Sequence, residues 1–345
     1  MYSVRTISRA HVIVLDMALV AFPTAAQKVG TTSMQFLKVM PIARAAAMGE
    51  AYAALANGAD AAFWNPAGLA STTGFELSTT YIDWLFDTRQ GALAGALSLG
   101  SWGSAGVQVQ YVDYGVFEEA RADLATLTQT PYPGLTGRQF RPFTMLVGVS
   151  FARSLTTKFS TGMSVKFAHE TLYRQSSVAI VNSQGMTETV NTYANGVLFD
   201  FGLQYLTGFR TVRIGATVQN FGASLQYAKE SSPAPLLFRL GIAAELAGAN
   251  SLLLPDEEGR LTAAFDIFQP NDYGQQMHAG FEYDFAGTVA VRAGYKFNYD
   301  VEGLTLGGGI RHDIGDLILS VDYAYGAMGE FLGMSHRFSV GVIHQ

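Results

Sequence analysis

From residue 75 to the C-terminus, apolar and polar positions alternate with a period of two. In TVAVRAGYKFN, Thr288 to Asn298, one face carries Val289, Val291, Ala293, Tyr295 and Phe297, and the other Ala290, Arg292, Gly294, Lys296 and Asn298. QQMHAGFEYDF sets Met277, Ala279, Phe281, Tyr283 and Phe285 against Gln276, His278, Gly280, Glu282 and Asp284. DLILSVDYAYG does the same with Leu317, Leu319, Val321, Tyr323 and Tyr325 opposite Ser320 and Asp322. A period of two predicts strands whose faces meet different solvents. Such segments recur near 75–84, 90–100, 103–113, 142–152, 159–170, 196–206 and 210–220, then near 235–246, 260–268, 275–285, 288–298, 303–313, 316–326 and 335–344. A tilted strand crossing a bilayer needs about 9 to 11 residues, more than the 5 or 6 usual in globular sheets. Sheet edges cannot face hydrocarbon, so such strands must close on themselves. The sequence therefore predicts an all-β fold, a fourteen-stranded antiparallel transmembrane β-barrel over residues 75–345.

The connections follow the same logic. If the first strand runs outward, turns after even-numbered strands should be short and those after odd-numbered strands can be long. Ser101-Trp102, Arg153 to Lys158, Thr207 to Phe209, Ala286-Gly287 and Ile314-Gly315 are short, whereas Tyr114 to Arg141, Thr171 to Asn195 and Phe221 to Ala234 are long. Ala247 to Gly259, AGANSLLLPDEEG, is long on the inner side and breaks the rule. Tyr81, Trp84, Phe86, Tyr111, Tyr114, Tyr295, Phe297, Tyr299, Tyr323 and Tyr325 lie near strand ends, where rings suit the boundary between lipid tails and headgroups.

Composition agrees. The 345 residues are 49% hydrophobic and 14% charged, with a net charge of -6, which leaves no basic stripe for nucleic acid. No apolar run past residue 30 reaches the roughly 18 residues of a spanning helix. The absence of cysteine excludes disulfides, thiolate metal sites and cysteine nucleophiles. At the N-terminus Arg5 and Arg9 precede the apolar HVIVLDMALVAF and the small residues of PTAAQK, so residues 1–26 are expected to form a signal peptide cleaved near Ala26.

Between these parts, residues 27–74 hold an alanine-rich stretch that Pro66 and Gly68 should stop in a tight turn, giving a compact plug ahead of the barrel. Here ARAAAMGEAYAALANGADAAFWNPAGLA resembles the N-terminal signature of the PorV/PorQ family of outer-membrane proteins, which is similar to that of the FadL hydrocarbon transporters. The shared positions are Asp60, Asn65, Pro66, Ala67, Gly68 and Leu69, and the stretch from Arg44 to Ala51 leans toward PorV/PorQ. The resemblance covers about 30 residues and implies a bacterial outer-membrane barrel whose N-terminal segment folds back into the lumen.

Catalytic signals are weak. There is no G-x-S-x-G, H-E-x-x-H or phosphate-binding glycine loop, and six scattered histidines give no metal spacing. No enzyme activity, metal or cofactor is expected. His278, Glu282 and Asp284 share one inward face, and Lys166, Asp200, Arg213, Arg239, Glu245, Asp266, Arg292, Lys296, Arg311 and Asp322 should form a mixed-charge lattice that holds the plug. Two functions remain. The resemblance to PorV/PorQ implies a type IX secretion component that meets a translocon, the C-terminal signal domains of cargo or surface attachment machinery. Its docking surface would be the two longest loops, through Phe117, Leu124, Leu127, Tyr132 and Leu135, then Val178, Ile180, Val181 and Met186. The resemblance to FadL implies instead a passive transporter of fatty acids or other hydrophobic compounds.

Overall fold

A computed structural model describes residues 29–121, 134–173, 175–181, 185–227, 229–256 and 258–344. The expected signal peptide lies outside them, as do Leu124, Leu127 and Tyr132. Fourteen strands close into an antiparallel barrel: β1 (Phe75–Asp83), β2 (Arg89–Ser98), β3 (Ser104–Asp113), β6 (Phe143–Ser154), β7 (Phe159–Thr171), β10 (Tyr193–Leu206) and β11 (Arg213–Gly222), then β14 (Leu237–Ala247), β15 (Gly259–Pro270), β16 (Gln276–Phe285), β17 (Val289–Phe297), β18 (Leu304–Ile314), β19 (Leu317–Ala327) and β20 (Met334–His344). β20 returns to β1, from Phe75 opposite His344 to Asp83 opposite His336. Every expected spanning strand is present, with ends displaced by three residues or fewer.

Pleating sends the apolar face outward. Phe281 is 50% exposed and Val291 58%, whereas their neighbours Glu282 and Arg292 are buried within the barrel. The wall is paired throughout its length at β3, which matches β2 from Ser104 to Asp113 and β6 over the same residues. Its register shifts at Asp200 of β10, where the left-handed Asn220 of β11 (φ 62°) donates its backbone N–H to the Asp200 carboxylate at 2.8 Å.

The long loops carry structure of their own. They contain the hairpins β4 (Phe117–Arg121) with β5 (Gly134–Phe140), β8 (Ser177–Val181) with β9 (Thr187–Asn191), and β12 (Leu225–Tyr227) with β13 (Glu230–Ser232). By the usual asymmetry of such barrels these mark the outer end. The long inner turn after β14 is also folded, since Leu252 N–H bonds to Glu245 O and Leu254 N–H to Leu246 O. Trp84, Tyr114 and Tyr299 are not girdle residues: Trp84 covers Arg337, Tyr114 packs on the core at the outer end and Tyr299 bonds to His278.

A small barrel is filled by its own side chains, but a wider one is not. Here the chain before β1 enters the lumen as short helical turns, Gln35–Lys38, Ala43–Ala47, Gly58–Trp64 and Pro66–Ser71. Alanines keep it thin, while Tyr52, Met48, Trp64 and Leu69 fill the remaining space. Pro66 does not end a helix as expected. Asn65 ends one turn and caps the next, with Pro66 at the first position, where its missing N–H costs nothing.

The wall admits the plug because it carries glycine on its inner face. A Cβ on Gly280 would stand 2.3 Å from Met48 O, and one on Gly294 would stand 2.1 Å from Gly49 N. Two adjacent substitutions should therefore fail differently. Phe281→Arg, on the lipid side, should lower the yield of folded, heat-modifiable barrel, since a midplane charge costs about 2–4 kcal/mol. Gly280→Val should leave the barrel folded but expel the plug, seen as protease cleavage before residue 75. Equal loss of folded barrel for both would contradict this register.

Candidate functional site

Charged pairs fasten the plug at its centre. The Glu282 carboxylate of β16 accepts from Arg44 Nε at 2.8 Å and Nη2 at 2.7 Å, and from Arg292 Nε at 2.6 Å. Arg292 continues to Asp322 at 2.6 Å. Further along the plug, Glu50 accepts from Lys296 at 2.6 Å and lies 3.5 Å from Arg239. The Arg239 guanidinium is fully buried between Phe268 and Trp64, 3.9 and 5.0 Å from their ring centres. Such charges persist in the interior only when paired, and removing one partner of a buried pair typically costs about 3–5 kcal/mol.

The plug backbone is held as well. Asp266 Oδ2 accepts the N–H groups of Tyr52 and Ala53 at 2.9 and 2.8 Å. Asn65, from the sequence signature, bridges plug and wall: its Nδ2 donates to Ala53 O at 2.9 Å and to Leu203 O of β10 at 3.1 Å, and its Oδ1 accepts Ala67 N–H at 3.1 Å. Gly68 lies so close to Ala56 O that a Cβ there would be 2.1 Å away, and Leu69 is fully buried. Asp60 sits lower, at the wall of a polar pocket with Arg44, Arg292 and Arg311.

The expected lattice is largely as read. Lys166 pairs with Asp200 at 2.7 Å and Arg213 with Glu245 at 3.6 Å, while Arg311 stays half-buried at the inner end. His278, Glu282 and Asp284 do not converge. His278 bonds to Tyr299, Glu282 serves two arginines, and Asp284 lies 3.7 Å from Arg260 near the turns. No group of three or more His, Cys, Asp or Glu that could hold a metal occurs among the described residues.

At the outer end the plug begins as a strap, latched to the β15–β16 loop by Asp272. That carboxylate accepts from Thr32 at 2.6 Å and Lys38 at 2.5 Å, and these bonds, against the opposing effect of burial, hold it below its ordinary pKa. Gln110 of β3 donates to Val39 O at 3.2 Å. Under the loops, against this strap, lies a cavity of about 450 Å³ walled by Phe36, Val39, Trp84, Phe86, Val112 and Tyr114. A smaller one of about 150 Å³ lies across Val39 and Trp84, beside Glu50, Lys296 and Tyr299. Neither cavity was expected, because the walls come from segments far apart in sequence; only the inward turn of Trp84 and Tyr114 could have hinted at them.

The described residues among those expected to dock a partner do not line this cavity. Phe117, Leu135, Ile180 and Met186 are exposed on the hairpins, Leu135 at 64%, and Val178 is half-buried. Val181 ends β8.

The central latch has a definite pH dependence. Burial would raise the Glu50 carboxyl, but Lys296 and Arg239 outweigh it and hold it well below the usual range. A carboxyl whose pKa is lower folded than unfolded contributes stability in full above the unfolded value, and loses it as pH falls through the folded one. Protection of the plug from protease should therefore not fall between pH 7 and pH 5, and should fall only as pH drops below the ordinary carboxylate range. Glu50→Gln should reduce protection already at pH 7. Loss of protection in the wild type between pH 7 and pH 5 would show that Glu50 is not the latch.

No family model matches this chain, and no curated protein matches it in sequence. Among solved structures it is similar to the Pseudomonas putida toluene transporter TodX, with a TM-score of 0.54 and 15% identity over 87% of this chain and 95% of that one. It is also similar to the CymD monoaromatic hydrocarbon channel, with a TM-score of 0.53 and 13% identity over 88% and 96%. At such identities the likeness speaks to architecture, and it extends along nearly the whole chain. The protein shares the β-barrel fold of these two structures, closed here by fourteen antiparallel strands.

Proposed function

We propose that this chain is an outer-membrane channel for small hydrophobic compounds, gated by its own N-terminal plug after removal of the signal peptide near Ala26. The mouth cavity carries this reading. Its volume of about 450 Å³ falls in the range of small-molecule sites, and its surface is mainly apolar and aromatic. It opens among the outer loops and ends on the strap, so a ligand would press on the segment that blocks the lumen. The names of the similar solved structures, a toluene transporter and a monoaromatic hydrocarbon channel, agree with it. Because all fourteen strands of the wall are paired to both neighbours and the plug packs into the lumen, passage along the barrel requires the plug to move. Among the described residues that line the cavity, Glu170 is the one charged side chain, with no second charged acid or base beside it, which supports transport rather than catalysis.

A second reading rests on a separate observation. Phe117, Leu135, Ile180 and Met186 expose apolar surface on the loop hairpins, as a docking platform for a secretion translocon, cargo signal domains or attachment machinery would. This is the role that the PorV/PorQ resemblance implies. It makes no use of the mouth cavity.

Uptake separates the two. Proteoliposomes containing the protein should take up radiolabelled toluene at least about tenfold faster than empty ones, and Phe36→Asp with Val112→Asp, which place charge in the apolar cavity, should abolish the difference. Trimming the two longest loops should leave uptake in place. Uptake no faster than in empty vesicles, with recovery of a secretion partner that depends on the loops, would transfer the function to docking.

A further inference from the structure

The charge around the mouth cavity narrows what it can hold. Of the described residues that line it, Glu170 of β7 alone bears a charge. Its side chain is buried, and its two oxygens are unequally occupied. Oε2 accepts the Tyr227 hydroxyl from the β12–β13 hairpin, whereas Oε1 meets the Thr144 hydroxyl at 3.4 Å, a long contact for an O–H donor, and the Tyr114 hydroxyl stands beside the same carboxylate, which still leaves lone pairs open to a further donor. Burial, and then the bond to Glu170, raise the Tyr227 phenol well above its ordinary pKa, so it stays a donor.

The neighbouring cations are already engaged. Lys38 is bound to Asp272, and Lys296 lies between Glu50 and Glu302 at 2.6 and 2.5 Å. Arg337 lies behind the Trp84 indole, 5.1 Å from its centre, and is not on the cavity wall. An entering carboxylate would meet a second carboxylate and no available counter-charge. An entering hydroxyl would meet a buried acceptor with room for one more donor.

We infer that the mouth cavity binds neutral hydrophobic molecules bearing a hydrogen-bond donor, such as alcohols and phenols, and rejects carboxylates, with Glu170 as the specificity-determining group. This rests on the channel reading above and divides its substrate class: fatty-acid anions are excluded, and apolar compounds with one hydroxyl are favoured over pure hydrocarbons of the same size.

The test compares decanol and decanoate, equal in chain length, on the full chain in phospholipid nanodiscs at pH 7.5, using radiolabelled ligand with empty nanodiscs as the partition control. Decanol should bind at least about tenfold more tightly than decanoate, as expected when like charges would meet in a partly screened site. Glu170→Gln keeps an acceptor and removes the charge, so it should close the gap to within about threefold by admitting decanoate. Equal or tighter binding of decanoate to the wild type would overturn the assignment while leaving the channel reading intact, and so would a gap unaffected by Glu170→Gln in a correctly heat-modifiable barrel. Failure of both ligands, and of toluene, to bind above the control would instead overturn the channel reading.

Discussion

A wall of fourteen strands encloses more space than its inward side chains can fill, and the structure depends on how that space is taken up. It is filled by polypeptide backbone, which brings N–H and C=O groups into a place with little water and obliges the wall to satisfy them. The wall does so with Asp266, which accepts from Tyr52 and Ala53, and through the carbonyl of Leu203, which accepts from Asn65. Glycines at 280 and 294 give the plug room, and ion pairs at Glu50 and Glu282 fix its height.

This construction differs from an apolar core in how it can be undone. Burial of apolar surface is non-directional and tolerates sliding, whereas paired charges and donor–acceptor contacts are satisfied in one position only. The plug is thus held in a definite register, yet its release would return its ionic groups to water, which solvates them well. A lumen closed in this way suits a gate. The strap at the outer end joins the plug to the mouth cavity, since Val39 lies on the wall of both cavities and Gln110 holds it to β3.

Much of this was legible in the sequence, for a physical reason. Lipid on one side and a polar, charged interior on the other impose a period of two that survives along whole strands, so β16 and β17 could be placed with their faces assigned. The lattice followed from the same faces. The glycines at 280 and 294 also sat on the polar face, but nothing in the alternation tells that the backbone of Met48 and Gly49 is what they admit. The hairpins escaped because strands of three to seven residues in a long loop carry too few alternations to be read. Trp84, Tyr114 and Tyr299 misled because strand-end position does not reveal whether a ring turns toward lipid or inward. The mouth cavity was invisible, being assembled from the strap, two loops and the ends of β3 and β7.

The central claim is that the plug must move for a hydrophobic molecule to cross. Because the chain contains no cysteine, a single introduced disulfide can lock it. Ala43 N–H donates to Ser339 Oγ at 2.9 Å, which places the start of the plug's central turn against β20. In proteoliposomes bearing Ala43→Cys with Ser339→Cys, a gated channel predicts toluene uptake at the empty-vesicle level when the pair is oxidised and wild-type uptake after reduction. Undiminished uptake with the disulfide fully formed would contradict it.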